Sequence, residues 1–514
     1  MKALAISWGS LTRVGAWARA TGWGSFLWLS WMTAPGSLDA AERPNILYIF
    51  TDDQSYRTVS AYPRSHRWVK TPHIDRLAEN GILFSQAYIG AKCVPSRANA
   101  LTGRHQFNIG KRTKRYWPED FRQQGYTTGM IGKWHWNLGT EYHGHGVAWD
   151  WSVVWDHNQP GEEKTYYWEQ HVNVHGQEAE PLGGYSTDVY TERTIEFIRE
   201  QAGQAQPWYF WLAYAGVHGP FTPAERHQGR YLGNPEVPES KRPADVFGPR
   251  PGKPRHLRDY SRWRDDDGTP AIKGVSLDEH VKLYNEAVLA IDEGVGRITR
   301  VLAETGQLEN TLIVFTSDQG YAWGHHGLRG KINPYDASLR SPLIVCWPKR
   351  FPRGAVCAHP VNGVDLVRTF HELAGVEPGM ALDGRDLTPI LLEPGRDGAW
   401  TEEPMIQTYT VHLYDNPSIE DRIRTRTWES LVYDKNPMPA YLMLHEGRYK
   451  YIRYIGEDYI EELYDLQEDP EELRNLALEG PFQTQLADLR GRTLDAFRVK
   501  GAAFVDLLPP AKTE

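Results

Sequence analysis

Four short apolar runs, each broken off abruptly by polar and ionisable residues, limit the possible folds of this chain more than any other feature of its sequence. Asn45 to Phe50 (NILYIF) gives way to Thr51, Asp52, Asp53 and Gln54, and Thr127 to Ile131 gives way to Gly132, Lys133, Trp134 and His135. Trp208 to Tyr214 (WYFWLAY) is followed by Ala215, Gly216, Val217 and His218, and Thr311 to Phe315 (TLIVF) by Thr316, Ser317, Asp318 and Gln319. A continuous apolar run of this length is what a strand buried on both faces shows. Helical segments lie between the runs. The clearest begins with a capping box at Ser276 and Glu279 and presents Val281, Tyr284, Val288, Ile291, Val295, Ile298 and Leu302 on one face. Strand and helix in alternation predict an α/β fold whose large, mostly parallel sheet is flanked by helices. In such sheets ligands bind outside the carboxyl ends of the strands, where the four polar clusters would lie.

After the DGRDLTPIL segment, Asp383 to Leu391, the pattern changes. Met405 to Thr408, Tyr441 to His445 and Tyr449 to Tyr454 read as antiparallel strands, the last two joined at Glu446 and Gly447, and Gln483 to Val499 reads as a helix. The expected organisation is a leader over 1–40, a main domain over 41–395 and a smaller α+β domain with an antiparallel sheet over 396–514. Gln228 to Gly274, rich in Pro, Arg, Gly and Asp, reads as a long surface insertion, and Trp149 to Trp155 with His157 to Gln159 as a second irregular, aromatic region.

At the start of the chain Lys2, Arg13 and Arg19 precede an uncharged run from Ala20 to Leu38, the pattern of a secretory signal peptide. Its strongly apolar part is only about ten residues, short of the ~20 that span a bilayer. With no cysteine before Cys93, a lipoprotein anchor is not expected, so the chain reads as exported, periplasmic or secreted, without a stable membrane anchor. A net charge of -9 argues against a broad basic surface for nucleic acid. Of the other cysteines, Cys346 and Cys357 could form one bridge, or Cys346 could be a buried free thiol in its apolar run.

Asp52, Asp53 and Asp318 are hard oxygen ligands and Gln319 adds an amide oxygen, a set that suits Ca²⁺ or Mg²⁺ better than a soft metal. Cys93 lies in AKCVPSRANALTGR, where Pro95 marks the first turn of a helix. A residue at a helix N-terminus faces free backbone N–H groups that favour an anion.

Cys93, Pro95, Ser96 and Arg97, followed by LTGR, resemble the sulfatase signature, in which the cysteine of C-x-P-S-R becomes formylglycine. GYTTGMIGKWH, Gly125 to His135, resembles the second signature of that family, the formylglycine-dependent type I sulfatases of the alkaline phosphatase superfamily, and EELYDLQEDPEELRNLA, Glu461 to Ala477, resembles its C-terminal signature. The resemblance implies that 41–395 is the catalytic sulfatase domain, with one Ca²⁺ ahead of Mg²⁺ held by Asp52, Asp53, Asp318, Gln319 and residue 93. It adds His218 and Lys331 as further cations, to protonate or stabilise the leaving oxygen. Arg97 and Lys133 would hold the hydrated aldehyde at position 93, and His135 would take its proton so that sulfate departs. The implied partners are a formylglycine-generating maturation enzyme and a sulfate ester, read as a sulfated carbohydrate from the expected export and the chain's 20 tryptophans and 27 tyrosines. Lys111 to Arg115 (KRTKR) could contact a polyanion, and Trp149, Trp151, His157 and Asn158 could line the rim of the site. Two other readings are a phosphonate monoester or phosphodiester hydrolase using the same device, and a non-catalytic sulfated-glycan binding protein, supported by Val94 where the family has a smaller residue.

Overall fold

The computed structural model describes residues 43–110, 115–135, 141–156, 166–258, 260–261, 263, 271–272, 274–411, 418–433 and 438–512. All of them belong to one unit, Leu38–Glu514. The expected leader, most of Lys111 to Arg115, and His157 and Asn158 lie outside the described residues.

The four apolar runs become neighbours in a ten-stranded sheet. Its middle is parallel, in the order Thr311–Ser317, Asn45–Thr51, Trp208–Ala213, Thr127–Lys133 and Trp151–Trp155. Antiparallel pairs flank this middle, so the sheet is mixed: Leu343–Cys346 joins one side, and His171–Val174 with Ala179–Pro181 the other. Alternation along the first strand shows why its sequence is apolar throughout. Leu47 and Ile49 enter the core beneath one layer of helices, while Ile46, Tyr48 and Phe50 enter the core beneath the other. Leu277–Glu304, with the expected capping box, covers the first face together with Ser186–Glu200, and Gly363–Ala374 covers the second.

A second sheet, all antiparallel, follows the order Met405–Tyr409, Tyr441–Glu446, Tyr449–Tyr454 and Glu462–Asp465. Its middle hairpin turns at Gly447 and Arg448 rather than at Glu446 and Gly447, because Glu446 still pairs with Tyr449. Gly447 has φ 74°, a conformation that glycine alone adopts without a Cβ clash. Helix Gln483–Val499 packs its Leu486, Leu489 and Phe497 on this sheet.

One expectation is corrected, and of the two readings of the cysteines the free thiol is the one found. Trp149 to Trp155 is not irregular: Trp151–Trp155 is a strand of the main sheet, and Trp149 is fully buried against Tyr209 and Trp211, so it cannot line a rim. Cys346 and Cys357 are both free and buried. Strand Ile82–Phe84 runs between theirs, which separates them by two strand spacings, roughly 9–10 Å, beyond disulfide reach. Among the described residues no helix is long and apolar enough to cross a membrane.

Candidate active site

The parallel strands deliver their polar ends to one edge. Thr51 is paired with Ser317 and Phe50 with Ala213, so Asp52, Asp318 and the Tyr214 to His218 segment emerge side by side. Asp52 extends this order, donating its N–H to Gly216 O at 2.9 Å and accepting at its own carbonyl from Val217 at 2.8 Å. Asp53 then turns into the left-handed region, φ 61°, which Asp tolerates better than most residues. Its N–H donates to Asp318 Oδ1 at 2.8 Å, and its carbonyl accepts from the Tyr284 hydroxyl.

Helix Cys93–Thr102 points its N-terminus at these carboxylates and starts at Cys93 itself, with the cysteine at the helix N-terminus as expected. Pro95 is the third helical residue, still inside the first turn where its missing N–H has no partner to lose. Arg97, one turn after Cys93, is completely buried. Its Nη1 donates to Lys133 O at 2.7 Å, and its Nη2 lies 3.3 Å from Asp318 Oδ2 and 3.7 Å from Asp52 Oδ1. Lys133, also fully buried, pairs with Asp52 Oδ2. It is carried there because Gly132 lets its strand press against the neighbouring one: a Cβ at Gly132 would stand 1.9 Å from Ala213 O.

Lys331 reaches the same point from a segment without regular structure, its Nζ 2.7 and 2.9 Å from the Asp53 oxygens and 2.6 Å from Cys93 Sγ. His218 Nε2 lies 3.6 Å from Asp53 Oδ2, and its Nδ1 is 2.8 Å from Gly219 O. That second contact fixes a tautomer with the proton on Nδ1, leaving Nε2 toward the carboxylate. Gln319 turns its Nε2 to Asp53 Oδ1 and, at 3.6 Å, to Cys93 Sγ, so acting as a ligand would require its amide to reverse and present Oε1. The structure therefore brings together nine of the ten expected residues around Cys93 Sγ and the Asp53 carboxylate. His135 is half-buried, has φ 54°, and stands outside both metal-capable groups of the described residues.

Tyr166 was not singled out from the sequence, yet its ring lies flat on His218 at 4.0 Å with 4° between planes and 5.0 Å from Lys133 Nζ. Its tract, TYYWEQ, has aromatic residues but no periodicity to mark one of them as a site residue.

The electrostatics follow from burial. Burial alone would raise Asp52, but Lys133, His218 and Arg97 hold it well below the usual carboxylate range. Burial raises Asp318 well above that range, and the adjacent Asp52 adds to the effect. Burial, then the charge of Lys331, pushes His218 down to about 4, and burial, then Asp52, pushes the Cys93 thiol up.

The donor set fits a hard divalent ion. Asp52 Oδ1 and Asp318 Oδ2 are buried and accept no hydrogen bond among the described residues, a costly arrangement for acceptor-only anions. Oxygens of Asp52, Asp53 and Asp318 lie within 4.8 Å of one another, a spacing that ligands ~2.4 Å from a shared Ca²⁺ can span.

Comparison with known proteins gives this geometry its context. The family model described as Sulfatase matches residues 44–376, and the one described as N-sulphoglucosamine sulphohydrolase, C-terminal, matches residues 324–498. The N-acetylglucosamine-6-O-sulfatase of Bacteroides thetaiotaomicron is 27% identical over 506 residues, covering 85% of this chain and 83% of its own length. The N-acetylgalactosamine-6-sulfatase of Canis lupus familiaris is 28% identical over 447 residues, covering 76% and 72%. A solved structure of a protein with its substrate D-glucosamine-2-N,6-O-disulfate superposes with TM-score 0.74 at 24% identity, covering 89% of this chain and 99% of that one. The phosphonate monoester hydrolase of Agrobacterium radiobacter superposes with TM-score 0.67 at 22% identity, covering 89% and 96%, and shares the fold. With more than half of its length matched by that family model, the chain belongs to the sulfatase family and is a sulfatase.

Proposed function

We propose that this sulfatase removes sulfate from a sulfated glycan by means of a formylglycine hydrate at position 93 and a bound Ca²⁺. The observation that carries the reading is the convergence of Asp52, Asp53 and Asp318 on one point, with Asp52 and Asp53 beside Cys93 Sγ and Lys331 in contact with both the thiol and Asp53. A buried thiol with a raised pKa is a poor thiolate nucleophile, so the cysteine makes more sense as the precursor of an oxygen nucleophile. Converted to formylglycine and hydrated, residue 93 supplies two hydroxyls on one carbon, one to attack sulfur and one to lose its proton so that sulfate leaves. The ion, when bound by Asp52, Asp53, Asp318 and the reversed amide of Gln319, supplies positive charge to the sulfate oxygens and the nucleophile.

The chain's own residues do the rest. Arg97 and Lys133 offset the charge of Asp52, which keeps that carboxylate ionised in a buried site, while Asp318, raised by burial and by Asp52, would be held ionised by the bound cation. Lys331 and His218 face the same carboxylate, Asp53, and are set to meet the leaving-group oxygen, the lysine as a fixed charge and the imidazole as a site that must take up a proton at Nε2 before it can give one. Tyr166 holds the imidazole plane by stacking. His135 would take the proton of the second hydroxyl.

Relatives named for amino-sugar 6-sulfates make 6-O-sulfated hexosamines the first substrates to try. The test is mass spectrometry of the peptide containing Cys93, from protein co-produced with a maturation enzyme, alongside sulfate release from nitrophenyl sulfate and glucosamine 6-sulfate. Aldehyde at position 93 with sulfate release is expected; thiol only, with no release, would sink the reading. The fold shared with a phosphonate monoester hydrolase favours a second reading, and faster turnover of a nitrophenyl phosphonate than of the sulfate would replace the first with it. The run before Asp39 supports export of the chain.

A further inference from the structure

Away from the catalytic cluster, a cavity of about 660 Å³ opens beside Arg57, the 63–67 stretch, the 241–245 stretch and Trp323. Its lining includes Arg57, Arg64, Arg67, Lys241 and Arg242, against the acids Asp245 and Glu471, in a chain whose net charge is -9. Both acids are already engaged. Asp245 Oδ2 lies 2.7 Å from His326 Nδ1, while Glu471 meets Arg57 at 3.4 Å, His325 at 3.4 Å and Arg64. Burial holds His325 neutral and Arg242 is paired with Glu239 at 2.6 Å, so Glu471 is shared between two arginines and the charge left over is that of Arg57, Arg64, Arg67 and Lys241 set against one carboxylate.

Arg57 is the built part of this site. It is only 6% exposed, and its Nη1 donates to no group among the described residues. That nitrogen is itself covered, so what Arg57 gives the cavity is its positive charge, held in place by Glu471. Burial, then the charge of Arg57, pulls the neighbouring His66 down to about 4. The His66 ring stacks on Trp68 at 5.1 Å and lies near-parallel to Trp323 at 6.1 Å, giving the basic cavity an aromatic side. Trp323 packs at 5.1 Å on Tyr284, whose hydroxyl holds the Asp53 carbonyl, so one aromatic side chain separates the cavity from the catalytic loop.

We propose that this cavity is a second anion-binding subsite, which holds a sulfated or carboxylated sugar unit of a longer glycan whose target sulfate lies at Cys93. The inference rests on the sulfated-glycan reading above. The volume suits one sugar unit. The guanidinium groups of Arg57 and Arg64 suit the oxygens of a sulfate or carboxylate. Inorganic sulfate shares the same chemistry, so the test must separate the two sources.

Full-length protein carrying Cys93→Ala, unable to turn over, is titrated calorimetrically with inorganic sulfate, glucosamine 6-sulfate and a sulfated tetrasaccharide, with and without Arg64→Gln and Lys241→Gln. Both positions reach the surface, and matched melting curves check that the glutamine variants fold. Tetrasaccharide affinity falls at least tenfold in the variants while monosaccharide affinity changes less than twofold. Unchanged tetrasaccharide affinity overturns the proposal, as does a tenfold loss for inorganic sulfate with none for the tetrasaccharide. An absence of sulfate release by the mature wild-type enzyme would instead overturn the hydrolase reading, and the binding comparison would still decide the subsite.

Discussion

Replacing Lys450 by methionine tests how the two sheets are held together. Lys450 is completely buried in the second sheet, its Nζ 2.7 Å from Asp336 Oδ1 and in contact with Glu472. In K450M, Asp336 keeps the Tyr88 hydroxyl at 2.8 Å and Glu472 keeps the Asp336 N–H at 2.7 Å, but both carboxylates lose the cation between them. Breaking such a buried group by removing one partner costs about 3–5 kcal/mol. In domains of 150–250 residues 1 kcal/mol moves the melting midpoint by ~2–4 °C, and in a chain about twice as large by roughly half of that, so K450M should melt about 3–10 °C lower. The deficit depends on pH. Burial pushes Glu472 up to about 7 even with Lys450 present, whereas Asp336, despite burial, is held well below the usual carboxylate range by Lys450 and then Arg340; loss of the lysine raises both. A carboxyl whose folded pKa exceeds its unfolded value contributes stability that is complete below the unfolded pKa and is lost as pH rises through the folded one. Wild type and variant lose the Glu472 contribution alike up to about pH 7, and only the variant goes on losing it above that, so the deficit relative to wild type deepens above about pH 7 and is larger at pH 8 than at pH 5. Scanning calorimetry at one scan rate measures it, and the triple variant D336N/K450M/E472Q, which removes all three charges, should recover most of the midpoint. A K450M midpoint equal to wild type, or a deficit that is the same at both pH values, would refute the reasoning.

Chelation with EGTA should lower the melting midpoint and added Ca²⁺ should restore it, since an ion at about a thousand times its Kd stabilises by ~4 kcal/mol; no shift would mean that the acidic cluster holds no ion. Gly132→Ala should cost more than about 1–3 kcal/mol, because a Cβ there meets Ala213 O in a residue with φ 110°, and an equally stable variant would contradict that close approach. Lys133→Met removes the cation on Asp52, so a Ca²⁺ titration followed by melting point should show tighter binding while sulfate release falls about 10²–10³-fold. Parallel weakening of both would assign Lys133 to holding the ion's ligands in place.

The α/β core was legible because its strands are buried on both faces, which makes Ile46 to Phe50 or Leu312 to Phe315 apolar at every position. The carboxylate cluster was legible for the same reason, since Asp52 and Asp318 follow the last paired residues of neighbouring strands. Strand Trp151–Trp155 was hidden by its polar flanks and by aromatic residues that suit a rim as well as a core. The Lys450, Asp336 and Glu472 contacts join residues 114 and 136 positions apart, and no local pattern carries a pairing of that kind. Tyr166 escaped notice because its role comes from a stacking partner 52 positions away.

The same buried cluster explains why a site at the strand ends of the first sheet depends on the second. Lys331 lies outside any regular element, and the next residue, Ile332, has φ 87°, strained for a β-branched side chain. Two hydrogen bonds hold that strain: Ile332 N–H donates to Ala91 O at 3.0 Å, and Ile332 O accepts from the Tyr441 hydroxyl at 2.8 Å. Ala91 stands two residues before Cys93, and Tyr441 begins the second strand of the antiparallel sheet. One residue thus ties the lysine to the helix start that carries Cys93 and to the second sheet. Four residues on, Asp336 anchors the short Asp336–Leu339 helix through Lys450 and Glu472. The segment that places Lys331 beside Cys93 is therefore pinned at both ends by the second sheet, so the C-terminal region is part of the active site's geometry, although no residue in it touches the reacting atoms among the contacts described.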